Sequence, residues 1–333
     1  MWGMRPMLAV PSARPGVPPT GEEWQHEVKW DGIRALADVR GGALRLLNRN
    51  EVDVTIAYPD LTDESGGLPH DVLLDGEIVS FDDGLPSFSR IASRMHVRDA
   101  LRARRAAQAF PATYLLFDVL RIGDRSTIGI PLADRRSLLE ALAIDGDARP
   151  HWQVSPTYGD GHDLAAATEA AGLEGVVSKR LASTYQPGCR STDWVKVPHR
   201  KELVAVIGGW VPETDSPDRL GSVWVGHPSD EATFDISPVL YPIARAGSGL
   251  NHDQRDGLLG VLRSIARPTS PFDPLPSGPE LRRTIWVEPV LCVQVRYLGV
   301  APSGVLRQPV LRALRPEVTP MGAPTAELLV LEN

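Results

Sequence analysis

The sequence predicts an α+β chain of two domains: sheets with flanking helices over residues 1–200, then a small β-barrel over residues 201–333 with a loose C-terminal tail. Three observations predict it. The length of 333 residues exceeds one ordinary domain and suits two. Strand-like apolar runs interleave with helix-period segments as far as about Lys201. Beyond that point "LVAVIGGWV", "GSVWVGH", "PVLYPIARAGSG" and "TIWVEPVLCVQVRYLG" read as short strands, with a single helix from about Asn251 to Ala266 among them. Five or so strands with one helix suit a closed barrel of the OB type.

The elements follow in order. Residues 1–21 are Pro-rich and extended. "HEVKW" and "IRALADVR" flank an Asp31-Gly32 turn signal, and "ALRLLNR" follows Gly41-Gly42. "HDVLLDGEIVSF" reads as a hairpin turning at Asp75-Gly76. A polar helix is predicted from about Phe88 to Gln108, with Arg90, Arg94, Arg98, Arg102 and Arg105 at helical spacing as one basic face. "ATYLLFDVLRI" is a buried strand. Pro131 then opens a helix with Leu138, Leu139 and Leu142 on one face. "QVSPTY" is a short strand, "GHDLAAATEAAG" a helix ending at Gly172, and "EGVVSKR" and "STDWVKVP" two further strands. In the second domain, Leu258, Leu259, Leu262 and Ile265 share one side of the helix. A Pro/Ser-rich link follows it, and the tail loosens after about Pro320.

The net charge of −7 does not advertise a nucleic-acid binder, although local patches matter more than the sum. Two cysteines, Cys189 and Cys292, give neither a disulfide framework nor a metal spacing, and a reducing cytoplasm is the expected compartment. The N-terminal "MWGMRPMLAVPSARPGVPPTG" has Pro and Arg where a signal peptide needs an apolar core. No stretch approaches the roughly 20 apolar residues of a membrane span, so no membrane contact is expected.

Lysine usage is the sharpest chemical signal. Four of the 35 basic residues are lysines, and Lys29, Lys179 and Lys196 each end or interrupt an apolar strand. Lysine differs from arginine in that its amine can lose a proton and act as a nucleophile. Three acids are placed as oddly. Glu77 lies between Gly and Ile, Asp118 follows Phe117 inside an apolar strand, and Glu174 precedes "GVV". Carboxylates there must be paired or metal-bound. Oxygen ligands of this kind suit magnesium, which takes one or two carboxylates plus substrate phosphates.

In order, these motifs resemble those of the covalent nucleotidyltransferases: ATP-dependent DNA ligases, RNA ligases and mRNA capping enzymes. Lys29-Trp30-Asp31-Gly32 with Arg34 resembles motif I. Asn48-Arg49-Asn50 resembles the arginine motif after it, Asp75-Gly76-Glu77 motif III, Phe117-Asp118 the aromatic motif, Glu174 to Lys179 motif IV, and Trp194-Val195-Lys196 motif V. "RPMLA" near the start, "WVEPVLCVQVRY", and Arg307-Gln308-Pro309 as motif VI are similar to stretches of bacterial ATP-dependent DNA ligases of the stand-alone and end-joining type. The resemblance implies a nucleotidyltransferase (adenylation) domain of antiparallel sheets with flanking helices over 1–200, and an OB-fold domain over 201–333. It also implies that this length lacks polymerase and nuclease modules and an N-terminal helical DNA-binding domain.

The implied activity is nick sealing with ATP as AMP donor and Mg2+ (or Mn2+) as cofactor, on nicked or broken double-stranded DNA. The resemblance extends to end-joining or repair proteins as partners of a monomeric enzyme. Lys29 is the implied nucleophile. Glu27 would help read the adenine edge, Phe117 would offer an apolar face, and Arg34 and Arg49 would contact ribose and phosphate. Glu77 would contact ribose or metal and Glu174 would hold metal. Lys179, Lys196 and Arg190 would contact ATP, and Arg307 would orient the leaving pyrophosphate. The arginine-rich helix becomes a candidate DNA-backbone contact. Two positions depart from the family pattern: Pro198 stands where a second lysine often follows motif V, and Glu317-Val318 where Asp-Lys often ends motif VI. Both changes bear on the lysine-adenylation step. An RNA ligase or capping-type enzyme, and a non-catalytic DNA-binding module, are the competing readings.

Overall fold

The strand-like runs of the first half form two sheets, and those of the second half form a barrel. The computed structural model describes residues 4–66, 68, 71–144, 146, 148–229, 234, 238–301 and 303–323. Its contacts divide the chain into two units, Met1–His199 and Arg200–Asn333. The first unit runs β1 (Leu8–Pro11), β2 (Trp24–Val28), β3 (Ile33–Arg40), β4 (Ala43–Asn48), α1 (Pro59–Ser65), β5 (Val72–Val79), β6 (Phe81–Asp82), β7 (Leu85–Pro86), α2 (Phe88–Ala92), α3 (Ala100–Ala109), β8 (Thr113–Ile122), β9 (Arg125–Ser126), α4 (Leu132–Ala141), β10 (Trp152–Val154), α5 (Gly161–Ala170), β11 (Gly175–Arg180) and β12 (Arg190–Pro198). One sheet has the order β1-β12-β11-β2. The other has the order β10-β8-β5-β3-β4, with β9 beside β8. Val28, Val176 and Val197 of the first sheet pack on Leu164 and Ala165 of α5, which leaves its opposite face for other work.

The two Asp-Gly signals are not hairpin turns. β5 runs unbroken through Asp75-Gly76, pairing with β3 on one side and β8 on the other. Gly76 is required by close packing: a Cβ there would lie 2.6 Å from both the Leu115 carbonyl and the Tyr114 ring. Asp31-Gly32 carries the chain from one sheet to the other, since β2 and β3 belong to different sheets. A Cβ on Gly32 would meet the Ile78 carbonyl at 2.3 Å. Gly41-Gly42, by contrast, is the β3–β4 hairpin turn that was predicted, with φ of 54° and 78°.

The single arginine-rich helix is also corrected. It breaks into α2 and α3, because Asp99 caps α3 by accepting from the Arg102 amide at 2.8 Å. Arg94 is fully buried and grips Asp60 through both its terminal nitrogens at 2.7 and 2.8 Å. It also donates to the Ala57 and Phe110 carbonyls. The five arginines therefore form no common basic face. Leu139 of α4 and Leu142, which caps its C-terminus, are buried as expected, but Leu138 is exposed. The inward position is taken by Arg135, which forms a doubly hydrogen-bonded, fully buried pair with Asp118 at 2.7 and 2.9 Å.

The second unit runs β13 (Lys201–Glu213), β14 (Ser216–Pro228), β15 (Leu240–Ser248), α6 (His252–Ser264), β16 (Ala266–Arg267), β17 (Ile285–Val287), β18 (Cys292–Tyr297), β19 (Gly299–Val300), β20 (Leu306–Arg307) and β21 (Val310–Leu314). Five strands close on themselves in the cyclic order β13-β14-β15-β21-β18, returning to β13, with α6 lying in sequence between the third and fourth. That ring is the predicted OB-type barrel. Asn251 and Gln254 form a capping box at the start of α6, and Leu258, Leu259 and Leu262 enter the barrel core. The loose tail expected after Pro320 does not begin at that residue. Pro320–Gly322 is a 3-10 turn and Ala323 is buried, while residues 324–333 lie outside the described residues. No helix among the described residues is long and apolar enough to cross a membrane.

Candidate active site

The free face of the four-stranded sheet presents its side chains in rows. β11 places Lys179 between Gln25 of β2 and Trp194 of β12, and Val177 between Glu27 and Lys196. In the next row Gly175 faces Pro198, and the Lys29 amide donates to the Gly175 carbonyl at 2.8 Å. Alternate residues of a strand share a face and rows lie about 7 Å apart. Glu27 and Lys29 therefore point the same way from neighbouring rows, as do Trp194 and Lys196. Gly175 adopts φ of 136°, and a Cβ there would meet the Val197 carbonyl at 2.2 Å, so only glycine keeps this row flat beside the lysine.

These rows form one side of a cavity of about 550 Å³ that the other sheet completes with Arg34 of β3, Glu77 of β5 and Phe117 of β8. Nine of the predicted site residues line it: Glu27, Lys29, Arg34, Arg49, Glu77, Phe117, Lys179, Arg190 and Lys196. Glu174 lies just before β11 and its carboxylate forms an ion pair with the Lys29 ammonium. Arg307 belongs to the second unit, on β20. Seven cationic side chains line the cavity against the carboxylates Glu27 and Glu77, so an acidic chain carries here a pocket suited to a polyanion.

Each side chain is held differently. Arg34 forms a fork with Asp75 at 2.5 and 2.6 Å, and Asp75 also accepts from the Tyr185 hydroxyl at 2.5 Å. Burial opposes the charge of Arg34, but Asp75 outweighs it and holds the guanidinium protonated. Most of the donors of Arg34 are thus committed to the protein, which shifts its expected role from ligand contact toward framing the cavity. Phe117 is 6 % exposed and packs in a cluster with Met7, Leu36, Leu120, Tyr185 and Trp194, so it is core as well as cavity wall. Arg49 projects from a tight loop in which the Asn48 side chain accepts from the amides of Asn50 and Val52. Arg190 donates to the Ala9 carbonyl at 2.9 Å.

Glu77 is the most perturbed carboxyl of the site. Burial, reinforced by Glu174 and Asp75 and opposed by Arg34 and Lys29, pushes its pKa up to about 8. Two carboxylates that repel each other beside a lysine fit a divalent cation, which would relieve that repulsion. No cluster of three or more metal-ligating side chains occurs among the described residues. A bound magnesium would therefore take Glu77 and Glu174 and complete its shell with substrate oxygens and water.

Arg5 and Trp30 also line the cavity and were missed as site residues. β1 lies parallel to β12, which brings the N-terminal strand to the cavity wall. Arg5 bonds Glu51 at 3.1 Å, at the loop that carries Arg49. Trp30 donates to the Ser155 hydroxyl at 2.9 Å and packs edge-on against Phe81. Only the basic residue of "RPMLA" gave a signal for Arg5, and a chain pairing this remote leaves none in local sequence.

Comparison with known proteins places this arrangement. Residues 6–197 match the family model described as "ATP dependent DNA ligase domain", and residues 216–318 the one described as "ATP dependent DNA ligase C terminal region". The multifunctional non-homologous end joining DNA repair protein LigD of Mycobacterium tuberculosis is 36% identical over 321 residues, which is 95% of this chain and 39% of that protein. The chain thus spans about two fifths of the length of the LigD relatives it matches. DNA ligase C of the same organism is 33% identical over 230 residues, 66% of this chain and 61% of that protein. Among solved structures, the ligase domain of M. tuberculosis LigD superposes with a TM-score of 0.52 at 34% identity, over 96% of this chain and 98% of that one. A mycobacterial DNA ligase D complexed with ATP and MES gives 0.53 at 34% identity, over 97% and 98%. The fold is that of a nucleotidyltransferase-type ligase, and the chain belongs to the ATP-dependent DNA ligase family.

Proposed function

We propose that this chain seals nicks or breaks in double-stranded DNA through a covalent lysine–AMP intermediate, with residues 1–200 as adenylation domain and 201–333 as OB-fold domain. The observation that carries the reading is the placement of Lys29. It follows directly on β2 in a cationic cavity, pairs with Glu174, and shares the cavity with the carboxyl of Glu77. In the first step the Lys29 amine attacks the α-phosphorus of ATP, an N–P bond forms, and pyrophosphate leaves with the broken P–O bond. The Lys29 ammonium gives one proton to water to become the attacking amine and a second to the departing pyrophosphate as the N–P bond forms, while Glu174, its ion-pair partner, orients the nitrogen. In the second step the 5′-phosphate at the nick takes AMP from Lys29, and in the third the 3′-hydroxyl displaces AMP to close the backbone. Positioning and charge neutralisation dominate such transfers.

The residues divide the work. Glu27 and Phe117 serve the base. Arg49, Arg190 and Lys196 serve ribose and phosphates, with arginine gripping oxygens in pairs. Arg307 of the second domain serves the pyrophosphate. Magnesium or manganese, held by Glu77 and Glu174, would supply charge neutralisation at the phosphates. The mycobacterial relative complexed with ATP supports the nucleotide, and the end-joining relatives support broken DNA and repair proteins as partners. The reading takes the enzyme to act as a monomer in the cytoplasm.

The test is a denaturing gel after incubation with α-labelled ATP and magnesium. The wild type should carry label and Lys29→Ala none; an unlabelled wild type would refute the reading. Nicked DNA, nicked RNA–DNA hybrid and single-stranded RNA then separate acceptors. Sealing of RNA strands alone would make it an RNA ligase.

A further inference from the structure

Lys179 was expected among the ATP contacts, but its surroundings assign it different work. Its ammonium is 2 % exposed and donates to Glu27 Oε2 at 2.7 Å. It lies 4.0 Å from the centroid of Phe117 and 4.5 Å from that of Trp194, within cation–π reach of both. Gln25, its neighbour across β2, donates to the other carboxylate oxygen of Glu27 at 3.0 Å. Both oxygens of Glu27 are therefore fixed from the same side of the sheet. Lys179 shares its row with Gln25, and the row of Lys29 lies two rows further, about 13 Å along the strand. A group that Lys29 attacks must lie within about 3.5 Å of its amine. To reach such a phosphate, Lys179 would have to abandon a buried carboxylate and leave two aromatic rings.

We propose that Lys179 is a positioning residue for base selection: with Gln25 it locks the Glu27 carboxylate as an acceptor for the exocyclic amine of the purine, and it does not grip phosphate. A locked carboxylate rewards a ligand amino group and penalises a carbonyl oxygen in its place, because a buried acceptor left facing another acceptor is unsatisfied. The inference rests on the reading that the cavity takes ATP.

The experiment measures single-turnover Lys29 labelling with ATP, purine-riboside triphosphate, which lacks the 6-amino group, and inosine triphosphate, which carries a 6-oxo group. The wild type should show an apparent KM about tenfold lower for ATP than for either analogue, equivalent to about 1.4 kcal/mol. Lys179→Met should raise the KM for ATP about tenfold, leave the maximal rate within about threefold, and bring the three nucleotides together. Gln25→Leu should move the same way by less. Lys179→Met leaves a buried unpaired carboxylate and threatens folding, so Glu27→Gln/Lys179→Met is included. It should melt no lower than Lys179→Met and should select no worse than Glu27→Gln alone. A Lys179→Met enzyme that keeps its preference for ATP while its maximal rate falls would overturn the proposal. So would additive effects of Glu27→Gln and Lys179→Met on selectivity. An unlabelled wild type would overturn the ATP reading and this inference together, whereas a labelled wild type with either of those outcomes overturns the inference alone.

Discussion

Gly32 offers the sharpest test of how the backbone aims Lys29, the proposed nucleophile. A Cβ added there would sit 2.3 Å from the Ile78 carbonyl oxygen, 2.9 Å from Val79 Cγ1 and 3.0 Å from Glu77 Cγ. Carbon and carbonyl oxygen approach comfortably at about 3.3 Å, so Gly32→Ala forces about 1 Å of movement between the 29–32 segment and β5. The first atom in the way is backbone of a strand paired on both sides and cannot swing aside. Overpacking of this size costs about 1–3 kcal/mol. In a unit of roughly 200 residues each kcal/mol lowers the melting point by about 2–4 °C. The functional loss should be disproportionate. The segment carries Lys29 at one end, and β5 carries Glu77 on the other side of the cavity. A misplacement of about 1 Å between reacting groups reduces rate about 100-fold. Single-turnover lysine labelling at saturating ATP, beside a thermal melt, reads both quantities. Gly129→Ala, where nothing lies within 4 Å and φ is not positive, is the matched control and should change neither. A folded Gly32→Ala protein that labels within about twofold of wild type would refute the claim that this close approach sets the geometry of Lys29.

Three further outcomes follow from buried charge. Removing either partner of the Asp118–Arg135 pair should cost about 3–5 kcal/mol in urea unfolding, while Asp118→Leu/Arg135→Met together should recover most of it; equal losses in single and double variants would contradict this. Arg94→Met should destabilise comparably, whereas exposed Arg102→Ala should stay within about 0.5 kcal/mol; the reverse order would restore the basic-face reading of this segment. His26, His199 and His227 each have a pKa lowered chiefly by burial, so below pH 6.5 the unfolded chain binds protons that the folded chain refuses. Their contribution is whole above pH 6.5 and is lost as pH falls from there toward the lowered folded values. Urea midpoints should drop over that interval and His26→Gln should flatten part of the slope; an unchanged slope would remove His26 from the account.

Much of the site was legible because it lies in side chains whose chemistry conflicts with their neighbours. Lys29, Lys179 and Glu77 all stood out as charges in apolar strands, and all three line the cavity. The same logic could not separate ligand from framework. Asp118 was as conspicuous as Glu77, yet it is fully consumed by Arg135, and Arg34 is mostly consumed by Asp75. Partner choice across 17 or 41 residues is set by strand order, which local sequence does not encode. The Asp-Gly signals failed for a related reason. Glycine marks either a turn or a close approach of two backbones, and Gly32 and Gly76 are of the second kind, against β5 and β8. The barrel was legible as a class because alternation over short runs marks strands. Its closure, which depends on the parallel pairing of β15 with β21, was not visible locally.

The scarcity of lysine now has a physical division of labour behind it. The two fully buried arginines among the described residues of the first unit, Arg94 and Arg135, form planar forks with aspartate and hold elements together. Those are fixed, bidentate contacts, which suit a guanidinium. Three of the four lysines instead lie on one face of one sheet, in three successive rows of the cavity. An ammonium there can pair with one carboxylate, sit against a ring, or give up a proton, and the three rows place Lys179, Lys196 and Lys29 in different surroundings. Pro198 sharpens the point. It faces Gly175 in the row of Lys29, where members of the family often place another lysine. With proline there, the cation on β12 nearest that row is Lys196, one row away and about 7 Å along the strand. In the proposed lysine-adenylation step, charge compensation for Lys29 would then come from Lys196, from Arg49 and Arg190 at the cavity wall, and from a metal held by Glu77 and Glu174. The departure leaves Lys29, the proposed nucleophile, in place and concentrates the cations available to it on fewer groups.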